Sequence, residues 1–290
     1  MNSRISSACI KALGYSAVFS FPLTFEEIFR FSQTEKPFSR AELSRSLVML
    51  ERAKKITKVR EYYFFPGTSA WAEKRIRDRE KFQEKLEYAR SVGLCIARVW
   101  GVRGVLLSGS LGAGAVQSYD DLDFVVITRK GLMWTTRFLV VLFLKFVGLY
   151  RGKNDLANKE LEKKACTNLW MDESTLELPL EKQTLYSARE LIQAQPIACP
   201  LELSERLLQK NTWMHSIFAN AIPDQSNTAR IVEQTNIFPR GIEWFFRSMQ
   251  KIIMSSSISN ELIFQHQAFF HPTKRDVGVM KAFQDIMKRV

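Results

Sequence analysis

GVLLSGSLGAGAVQSYDDLDFVVIT, residues 104–128, places two apolar runs on either side of a glycine-serine turn, a patch of small residues and three acids. Short apolar runs bounded by glycine and acidic turn residues predict two buried strands of a mixed α/β sheet. Side chains alternate along a strand, so we expect Asp121 and Asp123 on one face where the second strand begins. Two adjacent carboxylates repel each other and are costly to bury, so a positive charge must compensate them.

The turn itself suits phosphate and metal chemistry. A glycine followed by a serine at the start of a helix, as in Gly109-Ser110, leaves backbone N–H groups free and offers a hydroxyl to a phosphate. A hard divalent cation such as Mg²⁺ prefers carboxylate oxygens and keeps waters for substrate phosphates. The stretch therefore predicts Asp121 and Asp123 as ligands of Mg²⁺ or Mn²⁺, with Gly109 and Ser110 beside the phosphates.

These residues carry a resemblance to a known superfamily. Gly109-Ser110, ten further residues and then Asp121-Leu122-Asp123-Phe124 resemble the signature of the DNA polymerase β-type nucleotidyltransferases. The resemblance implies that Ser110 contacts the phosphates of a nucleoside triphosphate and that both aspartates hold the metal. The chain is also similar to an uncharacterised bacterial group of nucleotidyltransferase domain-containing proteins with an N-terminal winged helix. The implied activity is transfer of a nucleoside monophosphate to the hydroxyl of an unidentified acceptor.

The third acidic position of that superfamily is open in this sequence. It comes from a later strand, and the candidate strand here, residues 163–173, reads KKACTNLWMDE. Asn168 stands in its middle, where it binds metal weakly and cannot act as a base. Asp172 stands at its end, and we include it among the candidate catalytic residues with Asp121 and Asp123.

Two other interpretations of the stretch compete with this one. The acids can be turn residues that merely open a strand. The glycines can belong to a dinucleotide site, but their order is G-x-x-G-x-G, and the acids open the next strand instead of closing it. A Walker loop is excluded because no Gly-Lys-Ser/Thr follows the glycines.

Residues 1–68 have the order of a winged helix. Thr24 with Glu27 and Ser39 with Glu42 predict capping boxes for the second and third helices. The stretch KITKVREYYFFPG predicts a β-hairpin wing. Basic side chains on the third helix and wing favour nucleic-acid binding, although a solvated basic face of a structural module explains them equally well: Arg40, Arg45, Lys54, Lys55, Lys58 and Arg60.

The predicted fold class is α+β, with an N-terminal winged helix, a polymerase β-like mixed sheet and a helical C-terminal region. The expected divisions are residues 1–68, a linking helix at 69–97, the nucleotidyltransferase core at 98–178 and helices at 179–290. In the C-terminal part the patterns predict helices over 180–195, 201–218, 242–255 and 277–289, and a loop over 220–241.

Composition limits the partners and the compartment. The chain carries 42 Lys and Arg against 30 Asp and Glu, a net charge of +12, which favours polyanionic partners. Its four cysteines are far apart and form no C-x-x-C pair, which indicates reduced thiols in a cytoplasmic protein. Arg137 and Lys145 interrupt the apolar stretch 132–150, so we expect a buried helix there and no integral membrane segment.

Arg137 is also a candidate nucleotide-binding residue, because a cation after the acidic strand can neutralise a triphosphate. The alternative function is a nucleic-acid-binding regulator that uses the winged helix, with a nucleotide-sensing domain of weak or no activity. A protein partner is a further expectation. The third carboxylate separates the two functions: Asp172 beside Asp121 and Asp123 favours the enzyme, and Asn168 in that place favours the sensor.

Overall fold

A computed structural model describes residues 3–116, 120–152, 161–221, 240–255, 262–270 and 273–290. Within these ranges the chain is a mixed α+β structure built on one six-stranded sheet, which confirms the predicted fold class at that level. The four cysteines are free thiols, as expected. Among the described residues, no helix has both the length and the apolar character needed to cross a membrane.

The N-terminal part contains three helices and a hairpin. The helices are α1 (Ser3–Ala17), α2 (Phe25–Phe31) and α3 (Arg40–Arg52). The hairpin joins β1 (Thr57–Val59) to β2 (Tyr62–Phe64), where the alternating sequence predicts it.

Both capping boxes are confirmed. The Thr24 hydroxyl accepts from the N–H of Glu27 at 3.3 Å, and the Glu27 carboxylate accepts from the N–H of Thr24 at 2.8 Å. Ser39 and Glu42 exchange the same pair of bonds at the start of α3. Each box satisfies backbone donors that the first helical turn leaves without partners.

The predicted linking helix is divided at Asp78 into α4 (Ser69–Arg77) and α5 (Arg79–Ala97). The helix α5 continues through Gly93. A Cβ at Gly93 would lie 2.8 Å from Cγ2 of Ile197 and 3.3 Å from the ring of Phe124. Gly93 therefore serves close packing of the helix against the sheet.

The sheet has the strand order β6-β3-β4-β5-β8-β7. Its central strands are β3 (Val102–Leu107), β4 (Leu122–Thr128) and β5 (Ala165–Asp172). Strands β4 and β5 run parallel, and the other pairs are antiparallel. The C-terminal part completes the sheet with three short strands that we did not predict: β6 (Gln195–Ala198), β7 (Leu262–Ile263) and β8 (Gln267–Phe269).

Six further helices of the described chain surround this sheet: α6 (Gly109–Gly112), α7 (Met133–Phe146), α8 (Leu185–Gln193), α9 (Leu201–Lys210), α10 (Arg240–Ser255) and α11 (Thr273–Met287). The last four fall within or overlap the predicted helices, with ends that agree to within five residues except that α9 ends at Lys210, eight residues before the predicted end at 218. Most of the predicted 220–241 loop falls outside the described residues.

Each face of the sheet has its own core. On one face, Phe124 and Val126 pack with residues of α5 and α7, such as Leu86 and Trp134. On the other face, Val125 and Ile127 pack with α8, α9 and the N-terminal helices in a single continuous cluster. The N-terminal helices are therefore built into the same core as the second face, and Asp121 and Asp123 begin the strand that divides the two cores.

Candidate functional site

The acidic cluster forms where β4 begins. One ligand atom each from Asp121, Asp123 and Cys166 lies within 4.8 Å of the others. The parallel register of β4 and β5 sets Asp123 directly opposite Cys166, so the two strand starts meet at one edge of the sheet. The predicted pair of acids is thus together, and a thiol that we did not predict joins it.

Asn168 reaches the cluster through an irregularity in β5. Phe124 is paired with Thr167 and Val125 with Leu169, so Asn168 is an extra residue on its strand, as in a β-bulge. Its amide donates to Oδ1 of Asp123, and its carbonyl oxygen accepts from the Cys166 thiol at 2.7 Å. Of the two residues considered for the third position, Asn168 is therefore the one that lies beside Asp123.

Gly109 lies against the Asp123 carboxylate. Its φ is +64°, a backbone conformation that favours glycine. A Cβ built at Gly109 would stand 2.2 Å from Oδ2 of Asp123, which leaves no room for a side chain. The N–H of the preceding Ser108 donates to the backbone oxygen of Asp123 at 2.8 Å and fixes the turn against the strand.

Two cations compensate the acids. Nη1 of Arg151 lies 2.9 Å from Oδ2 of Asp121, and Nζ of Lys85 donates to the backbone oxygen of Asp120 at 2.6 Å. Burial acts to lower the pKa of Arg151, but Cys166, Asp121 and Asp123 outweigh it and raise that pKa. Burial lowers the pKa of Lys85, although the negative charges of nearby acids, Asp121 and Asp123 among them, act to raise it. The repulsion expected between the carboxylates is therefore relieved by the protein itself.

The Cys166 thiol is held in its neutral form. Burial, and then the charges of Asp123 and Asp121, raise its pKa far above the usual range. A protonated thiol is a poor metal ligand, and soft metals bind the thiolate. The donors that remain are hard carboxylate oxygens, which fit Mg²⁺ or Mn²⁺ when water or phosphate completes the coordination.

An open cleft of about 650 Å³ borders the turn, and we call it the Gly109 cleft. Gly109 and Ser110, which the sequence proposes as phosphate contacts, both line it together with Asp120. Its other walls come from α1, the segment after α1, the loop after α6 and α8: Tyr15, Ser16, Phe19, Phe21, Ala113, Ala115, Tyr186, Arg189, Glu190 and Gln193.

Arg189 gives this cleft a buried cation. Burial lowers its pKa to about 10, so it remains charged at neutral pH. The guanidinium donates to neutral oxygens, those of Gln193 at 3.2 Å and Ser16 at 3.3 Å, and its carbon lies 3.3 Å from the centroid of the Phe31 ring. A buried charge is costly unless anions compensate it, and the carboxylates of Glu27 and Glu190 act to raise the pKa of Arg189.

Glu190 supplies a carboxylate on the same wall. Its Oε2 accepts from the N–H of Gly109 at 3.3 Å, and its Oε1 accepts from the Gln193 amide at 2.8 Å. This acid comes from α8, not from β5 where we looked for a third carboxylate. Gly109 lies between the carboxylates of Glu190 and Asp123, so these two acids are near each other.

Asp172 is not part of the cluster. It is paired with Thr128 at the far end of the two parallel strands, whereas Asp123 is paired with Cys166 at their start. Asp172 is buried, and its carboxylate accepts from the N–H groups of Gly131 and Ser174. Six residues of β-strand separate Asp172 from Cys166, roughly 20 Å, so its role is to anchor the loops after the strands.

Arg137 is also away from the cleft. It is buried between α7 and α10, where it donates to Oε1 of Gln250 and lies 4.3 Å from the centroid of the Phe270 ring. Burial lowers its pKa to about 10. The helix was predicted correctly, but the structure places this side chain in the packing of α7 against α10.

On the basic N-terminal surface, one of the six predicted cations is already held in an ion pair. Arg40 makes a bidentate contact with Glu26 at 2.9 and 3.1 Å and covers the ring of Phe29 at 4.6 Å. The other basic residues singled out in the sequence are exposed: Arg45, Lys54, Lys55, Lys58 and Arg60. A polyanion thus has five of the six predicted cations available to it.

Arg151, Lys85, Arg189 and Glu190 were missed because they lie far from the motif in sequence. Each reaches the turn through packing of a separate helix or loop, and no local pattern marks them.

In comparisons with protein-family models, with curated proteins and with solved structures, the chain matches nothing.

Proposed function

We propose that the protein is a metal-dependent nucleotidyltransferase that takes a nucleoside monophosphate from a nucleoside triphosphate and gives it to an acceptor hydroxyl. One observation carries the proposal: the turn between β3 and α6 sets Gly109 against Asp123 and lines the same cleft as the buried Arg189. Acids for a metal and a cation for phosphates thus adjoin one another.

Asp121 and Asp123 would hold the metal. Their hard oxygen atoms suit Mg²⁺ or Mn²⁺, whereas the sulfur of Cys166 suits softer metals. When bound, the metal neutralises phosphate oxygens and orients them for displacement. Arg151 must give up part of its contact with Asp121 to admit the metal, and its guanidinium is then available to a phosphate.

The Gly109 cleft would hold the triphosphate. Gly109 has no side chain, so backbone and phosphate can approach closely, and Ser110 offers its hydroxyl on the same wall. Arg189 supplies a fixed positive charge, and the aromatic side chains of Phe19 and Phe21 offer surfaces for a base.

Glu190 would act on the acceptor. The acceptor oxygen bonds to the α-phosphorus, the bond from that phosphorus to its bridging oxygen breaks, and pyrophosphate leaves. The proton of the acceptor hydroxyl passes to a carboxylate, and Glu190 is the acid beside Gly109 that does not belong to the metal-binding pair. Asn168 cannot take that proton.

A second candidate function follows from Asn168. By the criterion drawn from the sequence, Asn168 beside Asp123 favours a nucleotide sensor of weak or no activity. The three helices and hairpin of the N-terminal part would then act as a winged helix on nucleic acid, through exposed cations such as Arg45 and Lys58.

One set of measurements tests both functions. The protein is titrated with each nucleoside triphosphate and Mg²⁺ or Mn²⁺, and label from the α-phosphate is followed into protein, RNA and small-molecule pools. The transferase predicts labelled acceptor, which Glu190→Gln abolishes while nucleotide still binds. The sensor predicts binding without label. Absence of metal-dependent binding, or unchanged binding by Asp123→Asn, would refute both.

A further inference from the structure

A second cleft opens on the α8 side of the sheet, and we call it the Lys182 cleft. It spans about 550 Å³, including the part open to solvent. Its walls are largely apolar and come from β4, β5, α8 and β8, with Val125, Leu169, Leu191 and Phe269 among them. Such walls favour a ligand with an apolar body.

Lys182 provides the positive charge in this cleft, whose lining also includes the carboxylates of Glu190 and Asp276. Its side chain is only 5% exposed, and within the described chain its ammonium makes one ion pair, with Oδ2 of Asp276 at 3.5 Å. It also lies 5.6 Å from the centroid of the Phe269 ring. An ammonium has three donors, and a buried charge is costly unless those donors are satisfied. Lys182 can therefore still donate to an anionic ligand.

The two clefts share Tyr186 and Glu190 as lining residues. Ser108, Asn168 and Glu190 line the Lys182 cleft. Asn168 donates to Asp123, and Glu190 also lines the Gly109 cleft and accepts from the N–H of Gly109. A ligand whose anion is held by Lys182 thus extends its other end towards Asp123 and Glu190.

We infer that the Lys182 cleft binds a small, apolar molecule with a carboxylate at one end and a hydroxyl at the other, and that this molecule is the acceptor. The acceptor role rests on the proposed function, but binding to Lys182 does not. Its hydroxyl oxygen would form the new bond to the α-phosphorus of the nucleotide as pyrophosphate leaves, and Glu190 would take the proton.

The test is calorimetric titration with three hydroxyaryl carboxylates of increasing length: 4-hydroxybenzoate, 4-hydroxyphenylacetate and 3-(4-hydroxyphenyl)propanoate. The amine tyramine and the alcohol tyrosol, which have a similar size, serve as the cationic and the uncharged comparison. We expect at least one carboxylate to bind tenfold or more tightly than tyrosol, and tyramine not to bind. Lys182→Met should reduce carboxylate affinity at least tenfold.

Two further variants control the result. Lys288→Met removes an exposed lysine paired with Asp285 at 3.4 Å, and it should leave carboxylate binding unchanged. Asp276→Asn removes the anion that competes for Lys182 and should tighten carboxylate binding several-fold. This second variant decides the matter if Lys182→Met fails to fold by circular dichroism.

The outcomes separate this inference from the proposed function. Failure of all three carboxylates to bind, equal binding by Lys182→Met, or no gain in Asp276→Asn overturns the site, whatever the nucleotide does. Carboxylate binding without binding of nucleoside triphosphate and Mg²⁺ leaves the site in place and overturns the nucleotidyltransferase.

Discussion

Arg151 and Asp121 form an ion pair of 2.9 Å inside the acidic cluster, so the acid expected to hold a metal is already paired with a cation. The same guanidinium donates to Sγ of Cys166 at 3.2 Å, and Cys166 donates to Asn168. Arg151 and a metal therefore compete for one carboxylate, and this competition can be measured.

Arg151→Gln should strengthen binding of Mn²⁺ alone. Loss of this partly exposed ion pair removes about 1 kcal/mol of competition for the Asp121 carboxylate. This corresponds to a roughly fivefold gain in affinity for Mn²⁺. Electron paramagnetic resonance of free Mn²⁺ gives the dissociation constant. Arg90→Gln is the matched control, because it removes an exposed pair with Glu87 at 2.8 Å. Equal Mn²⁺ affinity in wild type and Arg151→Gln would contradict the competition.

Asp121→Asn and Asp123→Asn should each abolish the rise in melting temperature caused by Mg²⁺ with a nucleoside triphosphate. Without ligand, each variant should also be less stable by about 1 kcal/mol, because the Arg151 pair or the Asn168 bond is lost. If mutual repulsion of the two carboxylates were the only effect, as the sequence alone suggests, each variant would be as stable as the wild type or more stable.

Asp285→Asn, which removes only an exposed partner of Lys288, is the control for the loss of one acid. Thermal melts with and without ligand measure both effects. A full ligand-induced shift in Asp123→Asn would show that the carboxylate holds no metal.

Gly109→Ala should destabilise the protein and prevent nucleotide binding. The new Cβ would lie 2.2 Å from Oδ2 of Asp123, in a residue whose φ is +64°. Gly148 has φ +71° with nothing within 4 Å of a built Cβ, so Gly148→Ala carries the backbone strain alone, about 1 kcal/mol. Urea unfolding of both variants separates strain from collision, and equal losses would mean that the turn relaxes freely.

Stability should fall as pH rises from 9 to 11. Burial raises the pKa of Cys9 to about 11 and that of Cys199 to about 12 from the ordinary value of 9.0. Above pH 9 these thiols ionise in the unfolded chain but stay protonated in the folded one, so the unfolded state is favoured. At pH 10 each contributes a loss of about 1 kcal/mol.

Cys9→Ala should show a shallower decline of unfolding free energy between pH 8 and pH 10 than wild type. Cys95→Ala removes a partly exposed thiol and should keep the wild-type slope. Parallel declines in wild type and Cys9→Ala would mean that Cys9 does not contribute.

The N-terminal surface should bind DNA or RNA weakly and with strong salt dependence, if the sensor function holds. Replacing Arg45 and Lys58 by Ala removes two exposed cations and should lower the slope of log affinity against log salt by roughly 1.5. Arg40→Ala should change it less, because Arg40 is paired with Glu26. Filter binding between 50 and 200 mM salt measures the slopes. Identical slopes for wild type and the double variant would leave this surface as a structural one.

Sequence patterns were sufficient to predict those features that depend on residues close together in the chain. The capping boxes of Thr24 and Ser39 depend on residues three positions away, and the shared face of Asp121 and Asp123 follows from strand alternation. These features were confirmed because few distant contacts can change them.

Features set by distant contacts were not predictable. An extra residue in β5 brings Asn168 to Asp123, and the parallel direction of β4 and β5 carries Asp172 to the opposite end. The pattern of α7 gave the helix containing Arg137 but not its neighbour α10, which covers that side chain. The short strands β6 to β8 have too few residues for alternation to reveal them.

The aromatic residues at the end of α1 have a consequence for any attempt to divide the molecule. Tyr15 and Phe19 line the Gly109 cleft, and Arg189 of α8 reaches back to Ser16. A truncated chain that begins at residue 69 would lack one side of the cleft and expose the apolar surface that the first three helices cover. By thermodynamic reciprocity, if binding of a polyanion to the N-terminal part changes the affinity of the cleft for its occupant, the occupant must change the affinity for the polyanion by the same factor.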